Sequence, residues 1–207
     1  MSEEHTNDDI KTKRVTRFQS PVPFIITLRR LIYGRKKPDI YTVVTYYINL
    51  FIWWTFFLWN IISYYTITSR DFIKSQKGIS VERIVENRGR ELGFSPGDFL
   101  SKLTTFHAIS IILWGVVFFG LILLYRKKKL FIYFTLVPVI LFLAMNVFYL
   151  SFTYFGEDTT MYDKIALLIF VASCLIHSYL LKNERNGGSI SFFGEATEAE
   201  ESPSAAE

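Results

Sequence analysis

Four stretches of the chain are apolar over the length that crosses a bilayer, about 20 residues of helix. They cover residues 41–65, 106–125, 130–155 and 164–181, and the only charged residue in them is Lys164, at the edge of the last. In lipid only helices and closed barrels satisfy the backbone hydrogen bonds. The pattern predicts an all-α integral membrane protein with four transmembrane helices and a 40-residue outer loop over 66–105.

The composition supports this class, with 50% hydrophobic and 17% aromatic residues and a mean hydropathy of +0.25. The first ten residues, MSEEHTNDDI, are polar and acidic, unlike a cleavable signal peptide, so we expect the first span to direct insertion. Cys174 is the only cysteine of the chain, which excludes an intrachain disulfide and a site built from several thiolates.

Charge placement predicts the orientation, because positively charged short loops stay in the cytoplasm. The second and third spans are joined by four consecutive cations, Arg126, Lys127, Lys128 and Lys129. Residues 11–37 contain nine Lys or Arg and no acid, and Lys182 and Arg185 follow the last span. The three clusters agree, so both termini are expected in the cytoplasm, with the plasma or bacterial inner membrane as the location.

Residues 21–38 are predicted to form a basic amphipathic helix at the cytoplasmic interface. Four apolar residues recur at helical spacing: Phe24, Leu28, Leu31 and Ile32. The cations of this segment are Arg29, Arg30, Arg35, Lys36 and Lys37. Such a helix places its apolar face among acyl chains and its cations at anionic headgroups, so the expected partner is an anionic inner leaflet rather than nucleic acid.

The rest of the chain divides into three parts. Residues 1–20 are expected to be flexible, and residues 183–207, rich in Gly, Ser, Ala and Glu, form a disordered acidic tail. In the outer loop, Ser80 is expected to cap one helix that ends near Gly93. A second helix is expected to start with Ser95 as its N-cap and to run into the second span.

Five polar side chains within the spans are the candidate functional residues, because polar groups in lipid need partners. They are Asn49, Asn60, His107, Asn146 and His177. We interpret the amides as hydrogen bond partners between helices. We expect His107 to meet interfacial water, and His177 to bond a neighbouring helix or the inner headgroup region. Their different depths prevent the two histidines from ligating one haem iron.

The sequence offers no catalytic motif, no Cys/His metal spacing and no phosphate loop, so we expect no catalytic residues, metal or cofactor. The leading hypothesis is a non-enzymatic accessory, anchoring or regulatory subunit with a protein partner or self-association. One alternative is a small homo-oligomeric channel or transporter lined by Asn49, Asn146 or His177. Another is an enzyme of lipid or quinone chemistry that uses His107 and the outer acids Glu157, Asp158 and Asp163.

Overall fold

The computed structural model describes residues 38–95 and 97–185, and in these ranges every regular element is helical. The elements are α1 (Ile40–Thr68), α2 (Arg70–Lys77), α3 (Val81–Glu91), α4 (Asp98–Tyr125), α5 (Phe131–Ala144), a π-helical segment (Met145–Leu150), α6 (Phe152–Glu157) and α7 (Met161–Arg185). The predicted amphipathic helix over 21–38 lies outside the described residues except for Pro38, and the predicted tail lies outside them beyond Arg185.

Four helical stretches are long and apolar enough to cross a membrane, which confirms the predicted number of spans. They are Ile40–Thr68, Asp98–Tyr125, Phe131–Leu150 and Met161–Asn183. The described part of the chain is therefore an all-helical bundle of the membrane class. Helix α4 runs without interruption into the second predicted span, and its 28 residues extend about 42 Å at 1.5 Å per residue.

Three predicted helix ends need correction or extension. Helix α4 begins at Asp98 after Gly97, whose φ of 82° turns the chain, so Ser95 is not its N-cap. The third span does not continue to residue 155, because Ser151 is non-helical and accepts a hydrogen bond from Tyr154 N as the cap of the separate helix α6. Helix α7 is longer than predicted and starts beside the reciprocal hydrogen bonds of Thr160 and Asp163.

The core of the bundle is aromatic, and it centres on Trp114 in α4. Its ring stacks on Phe56 of α1 at 4.9 Å and meets Phe142 of α5 and Phe170 of α7 edge-on. Trp53 donates from Nε1 to the Trp114 carbonyl oxygen at 2.7 Å, which ties α1 to α4 at the same level. Helix α4 thus packs on α1 and α5, while α7 packs on α1 and α5 and reaches α4 through the Phe170 ring.

One end of the bundle, which we call the basic end, carries the loop of Arg126 to Lys129. Asp39 caps α1 there, accepting from Thr42 N at 3.0 Å and from its hydroxyl at 2.7 Å, and pairs with Lys127 at 2.6 Å. Partial burial alone raises the pKa of Asp39, but the hydrogen bonds from Lys127 and Thr42 outweigh it and lower that pKa to about 2. The ion pair joins the start of α1 to the α4–α5 hairpin.

The opposite end, which we call the cap end, carries α2, α3 and α6. Ser80 caps α3, as predicted, by accepting from Arg83 N at 3.3 Å. Gly89 of α3 lies so close to Phe99 of α4 that a Cβ atom on it would be 2.6 Å from the Phe99 Cβ atom. The α3 helix therefore rests directly on the first turn of α4, over one end of the bundle.

Candidate functional site

A pocket of about 440 Å³ opens at the cap end, and residues from α1, α4, the α5–π segment, α6 and α7 line it. Three of the five polar residues predicted from the sequence line it together: Asn60, His107 and Asn146. This volume falls within the range of about 300–1,000 Å³ that is usual for sites of small molecules. We take this pocket, hereafter the cap-end pocket, as the candidate functional site.

Asn60 and His107 form a hydrogen-bonded pair across α1 and α4. Asn60 Oδ1 lies 2.9 Å from His107 Nδ1, and the two residues are only 2% and 5% exposed. Interfacial water was expected as the partner of His107, but for Nδ1 the partner is the side chain of Asn60. The position of His107 near the helix start suggested solvent, but α1 covers that side of α4 and supplies the amide.

The surroundings of Asn60 decide which ring nitrogen of His107 carries the proton. Asn60 Nδ2 donates to the Phe56 carbonyl oxygen at 2.8 Å, so the atom that faces the imidazole is the acceptor Oδ1. His107 Nδ1 must then donate, and in the neutral ring Nε2 keeps its lone pair. Within the described part of the chain, Nε2 has no hydrogen bond partner, so it offers the pocket an acceptor.

Asn146 offers a second acceptor to the same pocket. It lies in the π-helical segment, is 4% exposed, and donates from Nδ2 to the Phe142 carbonyl oxygen at 3.2 Å. Its Oδ1 atom accepts no hydrogen bond from any described residue. Insertions of π geometry in α-helices are frequent at functional sites, and here the segment carries a polar side chain that lines the pocket.

Aromatic rings form the apolar walls of the pocket. Phe142 contacts Phe56 and Phe106 at ring distances of 6.0 and 5.5 Å, and all three line the pocket. Trp54 and Trp59 of α1 line it as well, and their side chains are 52% and 65% exposed on the surface of the bundle. The pocket therefore adjoins the apolar face that would contact lipid.

Acidic residues lie at the aqueous side of the pocket. Asp158 follows α6 and Asp163 belongs to the first turn of α7, and both line the pocket together with Tyr154. Burial, with a further contribution from the charges of Asp158 and Asp163, raises the pKa of Tyr154 to about 12. The phenol thus stays neutral between the aromatic wall and an anionic rim.

Arg88 of α3 holds part of this rim in place. Its guanidinium donates to Asp158 Oδ1 at 2.6 and 2.9 Å, to Glu157 at 3.0 Å and to Glu91 at 2.7 Å. One cation thus meets three carboxylates, which leaves the rim negative. Glu157, Asp158 and Asp163 were expected from the sequence as outer acids, but Arg88 was not, because nothing in the local pattern links residues 69 or 70 positions apart.

The other predicted residues lie away from the pocket. Asn49 bonds Ser173 of α7 at 2.8 Å and the Thr45 carbonyl oxygen at 2.9 Å, and it is fully buried. His177 is buried toward the basic end, where it stacks on Tyr41 and meets Phe131. Arg126, Lys127, Lys128 and Lys129 lie at the basic end. Arg29, Arg30, Arg35, Lys36 and Lys37 fall outside the described residues.

In residues 38–95 and 97–185, no group of three or more His, Cys, Asp or Glu side chains is arranged to hold a metal ion. The pocket joins apolar walls, two unused acceptor atoms on buried side chains and an acidic rim. The chain matches no family model, no curated protein and no solved structure, so the geometry of this pocket is the basis for proposing a function.

Proposed function

We propose that this membrane protein takes an amphiphilic small molecule from the adjoining lipid leaflet into its cap-end pocket. In this proposal it acts without catalysis, as an accessory, anchoring or regulatory subunit of a partner complex. The observation that carries the proposal is the combination of two unused acceptors, Asn146 Oδ1 and His107 Nε2, with the exposed aromatic residues Trp54 and Trp59 in one pocket. An amphiphile needs both kinds of surface.

The lipid side of the pocket supports entry from the membrane rather than from water. Trp54, Trp59 and Ile62 line the pocket and are more than half exposed on α1, facing the zone where acyl chains would pack. On the basic-end side of the pocket, the hydrogen bond between Asn49 and Ser173 holds α1 and α7 together. Neither Asn49 nor Ser173 lines the pocket, so this bond takes no part in the site.

The orientation belongs to the proposal as well. We infer that the basic end faces the cytoplasm, since Arg126 to Lys129 form a short positive loop and Lys182 lies at the same end. Both termini are then cytoplasmic, and the pocket faces the other side of a plasma or bacterial inner membrane. The basic segment 21–38 would bind the anionic inner leaflet.

Photo-crosslinking tests whether the pocket takes up amphiphiles. The protein in lipid nanodiscs is irradiated with a clickable fatty alcohol that carries a diazirine in its chain, and labelled peptides are mapped by mass spectrometry. We expect label on Phe142 and Leu167, which line the pocket, and less on Phe51, whose 73% exposed side chain reports ordinary lipid contact. Label at Phe51 alone would rule out the pocket as a binding site.

Affinity purification in a mild detergent tests the subunit role. The proposal predicts a stoichiometric protein partner or a defined homo-oligomer, and a strictly monomeric protein that elutes alone from native membranes contradicts it. Cysteine accessibility tests the orientation, with a single cysteine placed at Glu82 in α3 or at Lys128 in the basic loop and Cys174 replaced by alanine. Membrane-impermeant labelling of whole cells should reach position 82 and not position 128.

An enzyme of lipid or quinone chemistry is the second candidate, and one observation favours it. His107, with its Nε2 lone pair, lines the same pocket as Asp158 and Asp163. A histidine oriented by an amide is suited to accept a proton. The test is turnover: the purified protein should convert a lipid or quinol substrate, and His107→Gln should abolish that conversion while crosslinking to the pocket continues.

A further inference from the structure

Two buried side chains of the cap-end pocket each leave one hydrogen bond acceptor unused, and this restricts the ligand. His107 Nδ1 is committed to Asn60, which leaves Nε2 as a lone pair, and Asn146 Nδ2 is committed to the Phe142 carbonyl, which leaves Oδ1. Each side chain is at least 95% buried. Both atoms are acceptors without a donor among the described residues, so a ligand that brings N–H or O–H groups complements them better than one that brings further acceptors.

The charges around the pocket select the sign of the ligand. One carboxylate oxygen of Asp163 accepts from Thr160, and the other has no hydrogen bond partner among the described residues. Lys164 forms no ion pair with Asp163 in the described part of the chain; its Nζ donates to the Gly156 carbonyl oxygen at 2.8 Å and lies 5.3 Å from the Phe155 ring. Arg88 is shared among three acids, so Asp158 remains in a negative environment. An anionic headgroup would be repelled at this rim.

The remaining wall of the pocket is apolar, so the ligand needs an apolar part as well. Phe56, Phe106 and Phe142 form a continuous aromatic surface beside the acceptors, and Leu167 of α7 lies opposite in the same lining. Burial of apolar surface against such walls contributes about 25 cal/mol per Å². The polar head would then lie between Asp163 and the two acceptors, with its chain directed past Trp59 toward lipid.

We propose that the cap-end pocket recognises a protonated primary amine attached to an apolar chain. The inference rests on the proposed uptake of amphiphiles and names the head group that the pocket selects. An ammonium group satisfies all three demands, since it carries positive charge toward Asp163 and N–H donors toward His107 Nε2 and Asn146 Oδ1. A quaternary ammonium supplies the charge without donors, and an alcohol supplies one donor without charge.

Two sources provide this chemistry, a free long-chain amine and the ethanolamine head of an aminophospholipid. The experiment separates them by using soluble probes in one arm and lipid composition in the other. In the first arm the protein is held in phosphatidylcholine nanodiscs and titrated with dodecylammonium, dodecyltrimethylammonium, dodecanol or dodecanoate. Binding is followed by tryptophan fluorescence, with empty nanodiscs used to correct each probe for partitioning.

We expect dodecylammonium to bind about tenfold more tightly than the trimethylammonium and alcohol probes, the size of one charge-assisted hydrogen bond in a dissociation constant. Dodecanoate should bind to nanodiscs that contain the protein no more than it partitions into empty nanodiscs. Equal affinity for all four head groups overturns the inference while leaving amphiphile uptake intact. If the neutral fatty alcohol does not crosslink to the pocket, the proposed function fails instead. Failure of the head-group preference and failure of amphiphile uptake are therefore distinguishable.

In the second arm, ethanolamine lipid replaces part of the phosphatidylcholine before titration with dodecylammonium. If the lipid is the ligand, ethanolamine discs should weaken the apparent affinity for dodecylammonium about tenfold by competition, and native mass spectrometry should retain that lipid on the protein. If a free amine is the ligand, the affinity should match that in phosphatidylcholine discs. Either result upholds ammonium recognition, provided that the preference of the first arm is present.

Matched variants test the residues. Asn146→Leu and Asp163→Asn should each weaken dodecylammonium binding about tenfold and reduce its advantage over dodecanol. Asn49→Leu removes a buried span amide outside the pocket, and Glu82→Gln removes an exposed acid of α3, so both should bind dodecylammonium as the native chain does. If Asn146→Leu does not fold, Asp163→Asn decides alone. If Asp163→Asn keeps the native preference for dodecylammonium over dodecanol, the assignment of Asp163 as the partner of the ammonium group is overturned.

Discussion

Gly120 lies at a close contact between α4 and α5, and a methyl group at this position should destabilise the bundle. A Cβ atom built on Gly120 would lie 2.6 Å from Thr135 Cγ2 and 2.8 and 3.0 Å from the carbonyl carbon and oxygen of Phe134. These distances are below van der Waals contact, and two of the three atoms belong to the backbone. We expect Gly120→Ala to lower the free energy of unfolding by about 1–3 kcal/mol, the usual cost of overpacking.

The Phe134 carbonyl is close to α4 for a reason that the sequence contains. Pro138 has no N–H group and cannot bond the carbonyl four residues earlier, which is that of Phe134. The freed oxygen faces Gly120, where the missing side chain lets the two helices approach. Gly120 and Pro138 thus act together, because Pro138 removes a donor from α5 and Gly120 removes bulk from α4.

Gly115 provides the matched control, because it lies on the same helix and a Cβ atom there meets nothing within 4 Å. Gly115→Ala should be neutral or stabilise the helix by up to about 1 kcal/mol through propensity. Both variants are compared by reversible unfolding with SDS in mixed micelles, followed by tryptophan fluorescence. Equal free energies of unfolding for the two alanine variants would refute the close contact.

A second substitution refines the test. Thr135→Ser removes the Cγ2 methyl, the atom nearest to the added Cβ, and keeps the hydroxyl that donates to the Phe131 carbonyl oxygen at 2.9 Å. In the Gly120→Ala background it should recover part of the lost stability, since the Phe134 backbone contacts remain. Full recovery would mean that the backbone does not restrict the approach, and no recovery would mean that Thr135 is irrelevant to it.

Three further predictions concern polar contacts. Asn60→Leu and His107→Phe should show a coupling of about 1 kcal/mol in a double-mutant cycle of unfolding free energies, whereas a coupling near zero would contradict their hydrogen bond. Because the pKa of Asp39 falls from 3.8 to about 2 in the fold, its stabilising contribution is present above about pH 4 and is lost as pH falls toward 2. Asp39→Asn leaves Lys127 in place but removes the titrating carboxylate, so the drop in Tm between about pH 5 and pH 2 should be smaller than in the native chain. An equal drop in both proteins would exclude that ion pair. Arg88→Gln should speed amide exchange in α3, measured by hydrogen–deuterium mass spectrometry, with little change in the long helices; unaltered exchange would show that the ion pairs do not hold α3.

The number of long helices was predictable because hydropathy along the chain reports membrane spans directly. Helix ends were less predictable. The third span was expected to reach residue 155, yet Ser151 interrupts it, and the uncharged residues 152–155 beyond the break carry no sign that they belong to another helix. The start of α4 was misplaced for a related reason. Ser95 has the side chain of an N-cap, but the turn at Gly97 decides where helical geometry begins.

The site was predictable only as separate residues. Asn60, His107 and Asn146 stood out singly because they are polar within apolar stretches, whereas their meeting in one pocket depends on helix rotation, which side-chain packing sets. Asp39 was missed although the signal was present, since an aspartate directly before a helical pattern is a favoured N-cap. Gly120 was missed because a glycine opposite a proline-freed carbonyl leaves no pattern in the sequence, unlike two glycines four residues apart.

The hydrogen bonding of the span amides separates the residues that hold the bundle together from those that offer a site. Asn49 uses both ends of its amide, toward Thr45 and Ser173, and it lies outside the pocket. Asn60 likewise uses both ends, and its second bond orients His107. Asn146 and His107 each use one polar atom and present the other to the pocket. Substituting the first kind should change stability alone, whereas substituting Asn146 should change binding more than stability, because its unused oxygen contributes nothing to the fold.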